Sequence, residues 1–342
     1  MVRRSLPWLV VAVVLTAAAS IGWRFAAERR LAASRPQPAP GAPSVLLLIL
    51  DTVRAAELSV YGYGRPTTPQ LERWAERGTV FEHAFAPSSW TLPSHASIFT
   101  GEPEFILGGA THWERLGTTW PTLAEVLRGR GYATVGIVAN RDWAGWDSGL
   151  GRGFERYDDY PVSLSTAIAA TSLGRVIYPV VYDRVPGRLQ RLVSGLRLRH
   201  PVQHRPAATI AGTFLGWLDD HPRAPYFAFL NFMDAHTPYT PPDSFRNRYR
   251  SPMPRPASRY AYADRPPIRL TPTDMRPRQD LYDGSIAYLD SEIGRLLDGL
   301  ERRGALENTL VVLTADHGEE FAEHGWGGHG SSLYRLSVQV PL

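Results

Sequence analysis

The chain has 342 residues, 44% of them hydrophobic and 20% charged, which suffices for one large domain with its own core and excludes wholesale disorder. It contains no cysteine, so disulfides, thiolate metal sites and a cysteine nucleophile are excluded. Formal net charge is only +4, and all 37 basic residues are arginine, so no lysine can act in a site and the case for a nucleic-acid partner is weak.

At the amino terminus Arg3 and Arg4 precede an uncharged, mostly apolar run from Leu6 to Trp23. As a helix it would rise about 27 Å, close to the ~30 Å hydrocarbon thickness of a bilayer. Residues 1–27 therefore read as a signal anchor, or as a signal peptide cut after the small residues Ala17, Ala18 and Ala19. The run continues past those alanines through Ile21 and Trp23, which favours the anchor. Either reading places the bulk of the chain outside the cytoplasm, as a single-pass membrane protein or a secreted one. Residues 28–43, ending in a proline-rich stretch, read as a linker. The domain proper is 44–342.

Four β-branched, leucine-rich or aromatic runs read as buried strands: Val45 to Leu50, Ala133 to Ala139, Tyr226 to Phe232 and Thr309 to Thr314. Helical patterns lie between them, at Pro69 to Arg77, Pro121 to Arg130, Ala208 to Asp220 and Gln279 to Arg303, the last ended by Gly304. This alternation predicts an α/β fold with a doubly wound, mostly parallel sheet. Two stretches interrupt it. Residues 161–206 carry apolar residues with five arginines from Arg184 to Arg199 and read as a membrane-surface helix or a solvated insertion. Thr237 to Arg278 is rich in proline, arginine and tyrosine and reads as a lid.

Three of the four strand runs lead directly into acids or histidines: Asp51, then Asp234 with His236, then Asp316 with His317. Ligand sites of open parallel sheets gather at the carboxyl ends of strands, so this coincidence predicts a site. Thr91 stands ahead of Pro93 and Gly101, a start and a stop for a helix. A hydroxyl at a helix amino terminus is placed to attack a bound oxyanion ester, because free N–H groups there favour an anion. The plainer reading of such a threonine is a helix cap. Adjacent Asp316 and His317 can both turn toward one cation, and mixed oxygen and nitrogen ligation suits zinc or manganese better than calcium or magnesium. A glycine-rich loop then carries His324 and His329.

Several blocks in one order resemble the sulfatase family of the alkaline phosphatase superfamily. They are Asp51-Thr-Val-Arg54, Tyr61-Gly-Tyr63 with Thr67-Thr-Pro69, Thr91-Leu-Pro-Ser-His95, Thr100-Gly101, His236-Thr-Pro-Tyr239, Asp316-His-Gly-Glu319 and Gly328-His-Gly330. The resemblance implies that Asp51, Asp316 and His317 bind a divalent metal, with the oxygen of Thr91 as a further ligand and as the nucleophile. It also implies that His236 and His329 contact the ester or its leaving group, with His95 on the substrate side. The implied chemistry is two displacements through a covalent ester on Thr91, resolved by water or by another alcohol.

The departures from that family select a branch. Sulfatases oxidise a cysteine or serine to formylglycine where Thr91 stands, and threonine gives no aldehyde by that route. The arginine after Pro-Ser is His95 here, and the active-site lysines are absent. These changes resemble the threonine-nucleophile enzymes, phosphoethanolamine transferases and lipoteichoic acid synthases among them. The resemblance thus implies phosphate-ester substrates, lipid- or glycan-linked, ahead of sulfate esters. The alternatives are an arylsulfatase-type hydrolase and an inactive, membrane-tethered binding domain. Asp234 and His236, spaced by two, do not match a second metal site, to which His95, Glu320 and His324 are further candidates. No nucleic-acid partner is expected from the arginines and tyrosines of Asn247 to Arg278, which read as a solvated loop.

Overall fold

The computed structural model describes residue 22 and residues 26–107, 115–159, 205–221, 225–251 and 271–342. The candidate membrane or signal segment falls almost wholly outside them, as do the whole of 161–204 and residues 252–270 of the expected lid. Among the described residues no helix is long and apolar enough to cross a membrane.

Five parallel strands form the central sheet: β1 (Ser44–Leu50), β3 (Ala133–Val138), β4 (Arg156–Asp158), β5 (Tyr226–Phe232) and β6 (Thr309–Thr314). Their spatial order is β4-β3-β5-β1-β6. Two small antiparallel pairs flank it, β2 (Ala84–Phe85) with β9 (Gln339–Val340) and β7 (Glu320–Phe321) with β8 (Gly327–Gly328). The main helices are α1 (Pro69–Ala75), α2 (Thr91–Thr100), α3 (Leu123–Gly129), α4 (Ala207–Asp219) and α5 (Pro272–Glu301).

The period-two alternation of β1 explains the double winding. Leu46, Leu48 and Leu50 face Ile210 and Phe214 of α4 and Ile286 and Ile293 of α5. Leu47 and Ile49 point the other way, into Leu92, Ala96 and Phe99 of α2 and Ala124 of α3. Each leucine, isoleucine or phenylalanine so buried contributes about 1.5–3 kcal/mol of apolar transfer.

The sequence placed four of the five strands within one residue and missed the short β4, and β6 is not buried on both faces. Among the described residues it is an edge strand paired with β1 alone, and Leu310 on it is 57% exposed. The last helix starts seven residues earlier than Gln279. Thr271 and Asp274 form a reciprocal capping box, Pro272 occupies the first turn, and Pro277 is accommodated in the second. Met275 of that extension is buried in the core. Part of the expected lid is therefore helix.

Residues 26–33 are helical, and the proline-rich stretch after them lies against the domain. Arg35 pairs with Glu155 at 2.9 Å, and a Cβ at Gly131 would meet the Pro36 carbonyl and Pro38 at 2.6 Å.

Candidate active site

The carboxyl ends of four strands converge. Asp51 follows β1, Asn140 follows β3, His236 follows β5, and Asp316 with His317 follows β6. Thr91 is the first residue of α2. Trp90 before it is extended, and Gly101 after the helix takes the left-handed φ of 74° that glycine tolerates without strain. The turn leaving β1 is unusual, because Thr52 also sits at a positive φ, 62°. Its hydroxyl bonds the Ala235 carbonyl at 3.0 Å, its carbonyl accepts from Tyr282 of α5 at 2.7 Å, and its N–H donates to Asp316 at 3.1 Å. One turn thereby ties together the exits of β1, β5 and β6.

Asp51, Asp316 and His317 are fully buried, and one ligand-capable atom of each lies within 4.8 Å of the others. Each carboxylate spends one oxygen on the protein. Asp51 Oδ2 accepts from the Asn140 amide at 2.7 Å, while Asp316 Oδ1 accepts from the Thr52 and His317 N–H groups at 3.1 and 2.9 Å. The other two oxygens, Asp51 Oδ1 and Asp316 Oδ2, are buried without a hydrogen-bond partner. Leaving two such oxygens bare is costly unless a cation covers them. His317 Nδ1 donates to the Gly318 carbonyl at 2.9 Å, which leaves the lone pair on Nε2, 3.3 Å from the Thr91 hydroxyl. Burial, helped by His329, pushes the His317 pKa down to about 3, so this imidazole is neutral as a ligand must be. Burial raises the Asp316 pKa against the pull of His95 and the backbone donors. The donor set therefore fits one divalent cation, with the Thr91 hydroxyl beside it.

Two further imidazoles stand next to this cluster. The His329 ring lies 4.6 Å from that of His317 and 5.2 Å from that of His236, centroid to centroid. His329 Nδ1 is bonded to Glu319 Oε1 at 3.0 Å. Burial lowers the His329 pKa, but Glu319, with Asp51 and Asp316 behind it, outweighs that and the net shift is upward. Glu319 in turn is held below its ordinary range, because His329, His236 and Tyr239 outweigh the effect of burial. Trp90 packs on the other side of His329, 5.2 Å away.

The sequence candidates Asp51, Thr91, His236, Asp316, His317 and His329 are thus brought together. His95 is one turn on from Thr91 in α2, fully buried, and donates from Nδ1 to the Thr91 carbonyl at 2.8 Å, while its Nε2 has no partner. Asp234 bonds the Ala207 N–H that opens α4, at 3.1 Å. Glu320 and His324 pair with each other at 2.9 Å, and His324 stacks on Tyr334. Among the described residues, Asp51, Asp316 and His317 are the one group of metal-ligating side chains so gathered. Sequence reasoning missed Asn140, which stands at a strand end like the others but is neither acid nor histidine. It also gave no role to Glu319 and Tyr239, although both stand inside blocks that carry the family resemblance.

A mostly parallel sheet carrying this buried cluster at its carboxyl edge is an alkaline phosphatase-like fold, and comparison with known proteins narrows it. The sulfatase family model matches residues 43–342, and the chain belongs to that family. It is 23% identical to mouse (Mus musculus) iduronate 2-sulfatase, over 91% of this chain and 60% of that protein. It is 24% identical to an arylsulfatase of Clostridium perfringens, over 88% of this chain and 68% of that one. The chain thus spans about three fifths of the length of the iduronate 2-sulfatase. Among solved structures, the phosphonate monoester hydrolase of Agrobacterium radiobacter superposes with a TM-score of 0.62 at 21% identity, over 87% of this chain and 67% of that one. The zinc complex of the periplasmic domain of EcEptC from Escherichia coli gives 0.61 at 17% identity, over 90% and 76%.

Proposed function

We propose that this sulfatase-family member cleaves phosphate esters through a covalent ester on Thr91, with one divalent metal, zinc or manganese ahead of calcium or magnesium, held by Asp51, Asp316 and His317. The observation that carries the reading is the placement of a buried threonine hydroxyl 3.3 Å from His317, beside two carboxylate oxygens without partners. When bound, the metal supplies Lewis-acid stabilisation of the ester oxygens and lowers the pKa of the hydroxyl beside it.

The chain's own groups do the rest. Thr91 Oγ1, its proton first released to solvent, forms a bond to phosphorus as the bond to the leaving alcohol breaks. The leaving oxygen takes a proton from His329 or His236, whose rings flank the cluster. Water, or an acceptor alcohol, then attacks the Thr91 ester, gives its proton back to the imidazole and frees the Thr91 oxygen. The amino terminus of α2 directs N–H groups at the anionic ester. His95, bonded to the Thr91 carbonyl, is read as a substrate-side residue that sets where Thr91 sits.

Threonine at position 91 favours phosphate over sulfate, since the formylglycine route is closed to it. A phosphonate monoester hydrolase and a phosphoethanolamine transferase domain among the fold neighbours agree with that preference. The iduronate 2-sulfatases and arylsulfatases among the relatives keep sulfate-ester hydrolysis as the second reading. The substrate is read as lipid- or glycan-linked and reached outside the cytoplasm, on the strength of the apolar run in residues 1–27.

The test is turnover of an aryl sulfate, an aryl phosphate monoester and an aryl phosphodiester by the full-length protein loaded with zinc or manganese. Thr91→Ala should abolish phosphoester turnover and leave most of the metal bound. Sulfate turnover that survives Thr91→Ala would sink the nucleophile assignment.

A further inference from the structure

Glu319 is completely buried, yet both of its oxygens are used, and each reaches a different imidazole-bearing segment. Oε1 accepts from His329 Nδ1 at 3.0 Å, on the glycine-rich loop around β8. Oε2 accepts from the Tyr239 hydroxyl at 2.8 Å, on the segment after β5 that begins with His236. The backbone of Glu319 is itself fixed, because Arg54, buried among Glu57 and Glu323, donates to its carbonyl at 2.7 Å. The two rings so tethered lie 5.2 Å apart.

We propose that Glu319, with Tyr239, is a positioning residue that sets His329 and His236 as a pair over the reacting ester. An ionised carboxylate can only accept, so His329 must donate from Nδ1, and Nε2 is the atom turned to the substrate. His236 Nδ1 likewise donates to the Thr237 carbonyl at 2.7 Å, which assigns the chemistry of that ring to its Nε2 as well. A single side chain therefore fixes the tautomer of one imidazole and the position of the segment that carries the other. A carboxylate serves this purpose better than an amide. Its two equivalent acceptors meet two donors, whereas a glutamine would offer an N–H to one of them.

The inference rests on the ester-cleavage reading and deepens it, since an imidazole aimed at the leaving oxygen matters in proportion to how poor a leaving group that oxygen belongs to. Glu319→Gln should lower kcat by about 10²-fold on an alkyl phosphoester and by less than about threefold on an activated aryl ester, with KM and metal content near wild type. Tyr239→Phe keeps the bond to His329 and should show the same pattern at about a tenth of the size, and it carries the test if Glu319→Gln does not fold. Equal losses on both esters would overturn the proposal, because damage to the fold does not discriminate between leaving groups. An activity-independent measurement runs beside it. Imidazole-labelled full-length protein should show a deshielded, slowly exchanging N–H signal that vanishes in both His329→Gln and Glu319→Gln. Its absence in wild type overturns the positioning role. Its presence in a protein inactive on every ester supports the role while refuting the ester-cleavage reading.

Discussion

Asn140 donates a hydrogen bond to Asp51 at 2.7 Å, across the width of β5, which lies between their two strands. The same residue receives the Trp143 N–H at its amide oxygen, and its own N–H is taken by Asn231. Asn140 is thus anchored at two points besides the carboxylate, and its amide decides which oxygen of Asp51 is left bare.

Removing that amide should weaken metal binding without disturbing the sheet. Asn140→Ala is expected to raise the dissociation constant for zinc or manganese by about 10- to 100-fold, the usual cost of losing a group that orients a ligand. Titration calorimetry on metal-stripped protein reads this directly. Chelation of wild type should also lower its Tm, since a ligand at 100 times its Kd adds about 2.7 kcal/mol. If the mutant matches wild type in affinity, the role given to Asn140 is wrong.

Asp234 gives a pH dependence that can be isolated. Burial raises its pKa to about 7, the Ala207 N–H only partly offsetting it, with Glu292 adding to the rise. The folded chain therefore holds this proton more tightly than the unfolded chain, whose value is ~3.9. The stabilisation is complete below pH ~4 and is lost as pH climbs toward about 7, a change of about 2–4 kcal/mol. Asp234→Asn can keep the bond to Ala207 and sheds the charge. Denaturant melts should show the variant gaining on wild type between pH 5 and pH 8. Parallel curves would rule out the assignment.

Tyr282 is the brace of the strained turn at Thr52. Its hydroxyl receives the Arg54 N–H at 3.0 Å and donates to the Thr52 carbonyl at 2.7 Å, inside a core with no access to water. Tyr282→Phe keeps the ring and strands both backbone groups, so a loss of about 1–3 kcal/mol is expected in urea unfolding. Because the Thr52 N–H also holds Asp316, metal affinity should fall with it. A variant as stable as wild type would show that the turn holds its shape unaided.

Much of this was legible because strands and the sequence blocks at their ends are local patterns. Val45 to Leu50 reads as a strand from six residues, and Asp51 follows it without a gap. The exposed face of β6 was not legible, since Leu310 to Leu313 is an unbroken apolar run like that of β1 and only the strand order reveals an edge. The early start of α5 was hidden by Pro277, which argues against a helix until the cap at Thr271 is seen to hold it. Asn140, Glu319 and Tyr239 escaped for another reason. Their work is to hold other side chains, and the bonds from Asn140 to Asp51 and from Tyr239 to Glu319 span 89 and 80 residues, which leaves no local mark.

The bond from the Thr52 N–H to Asp316 joins positions 264 residues apart, and β6 can deliver Asp316 only by docking beside β1. Asp51 and Asn140, by contrast, are brought together by the pairing of β3, β5 and β1 alone. Assembly of the Asp51, Asp316 and His317 cluster therefore depends on that long-range docking: no chain in which β6 is still undocked can hold its three members together.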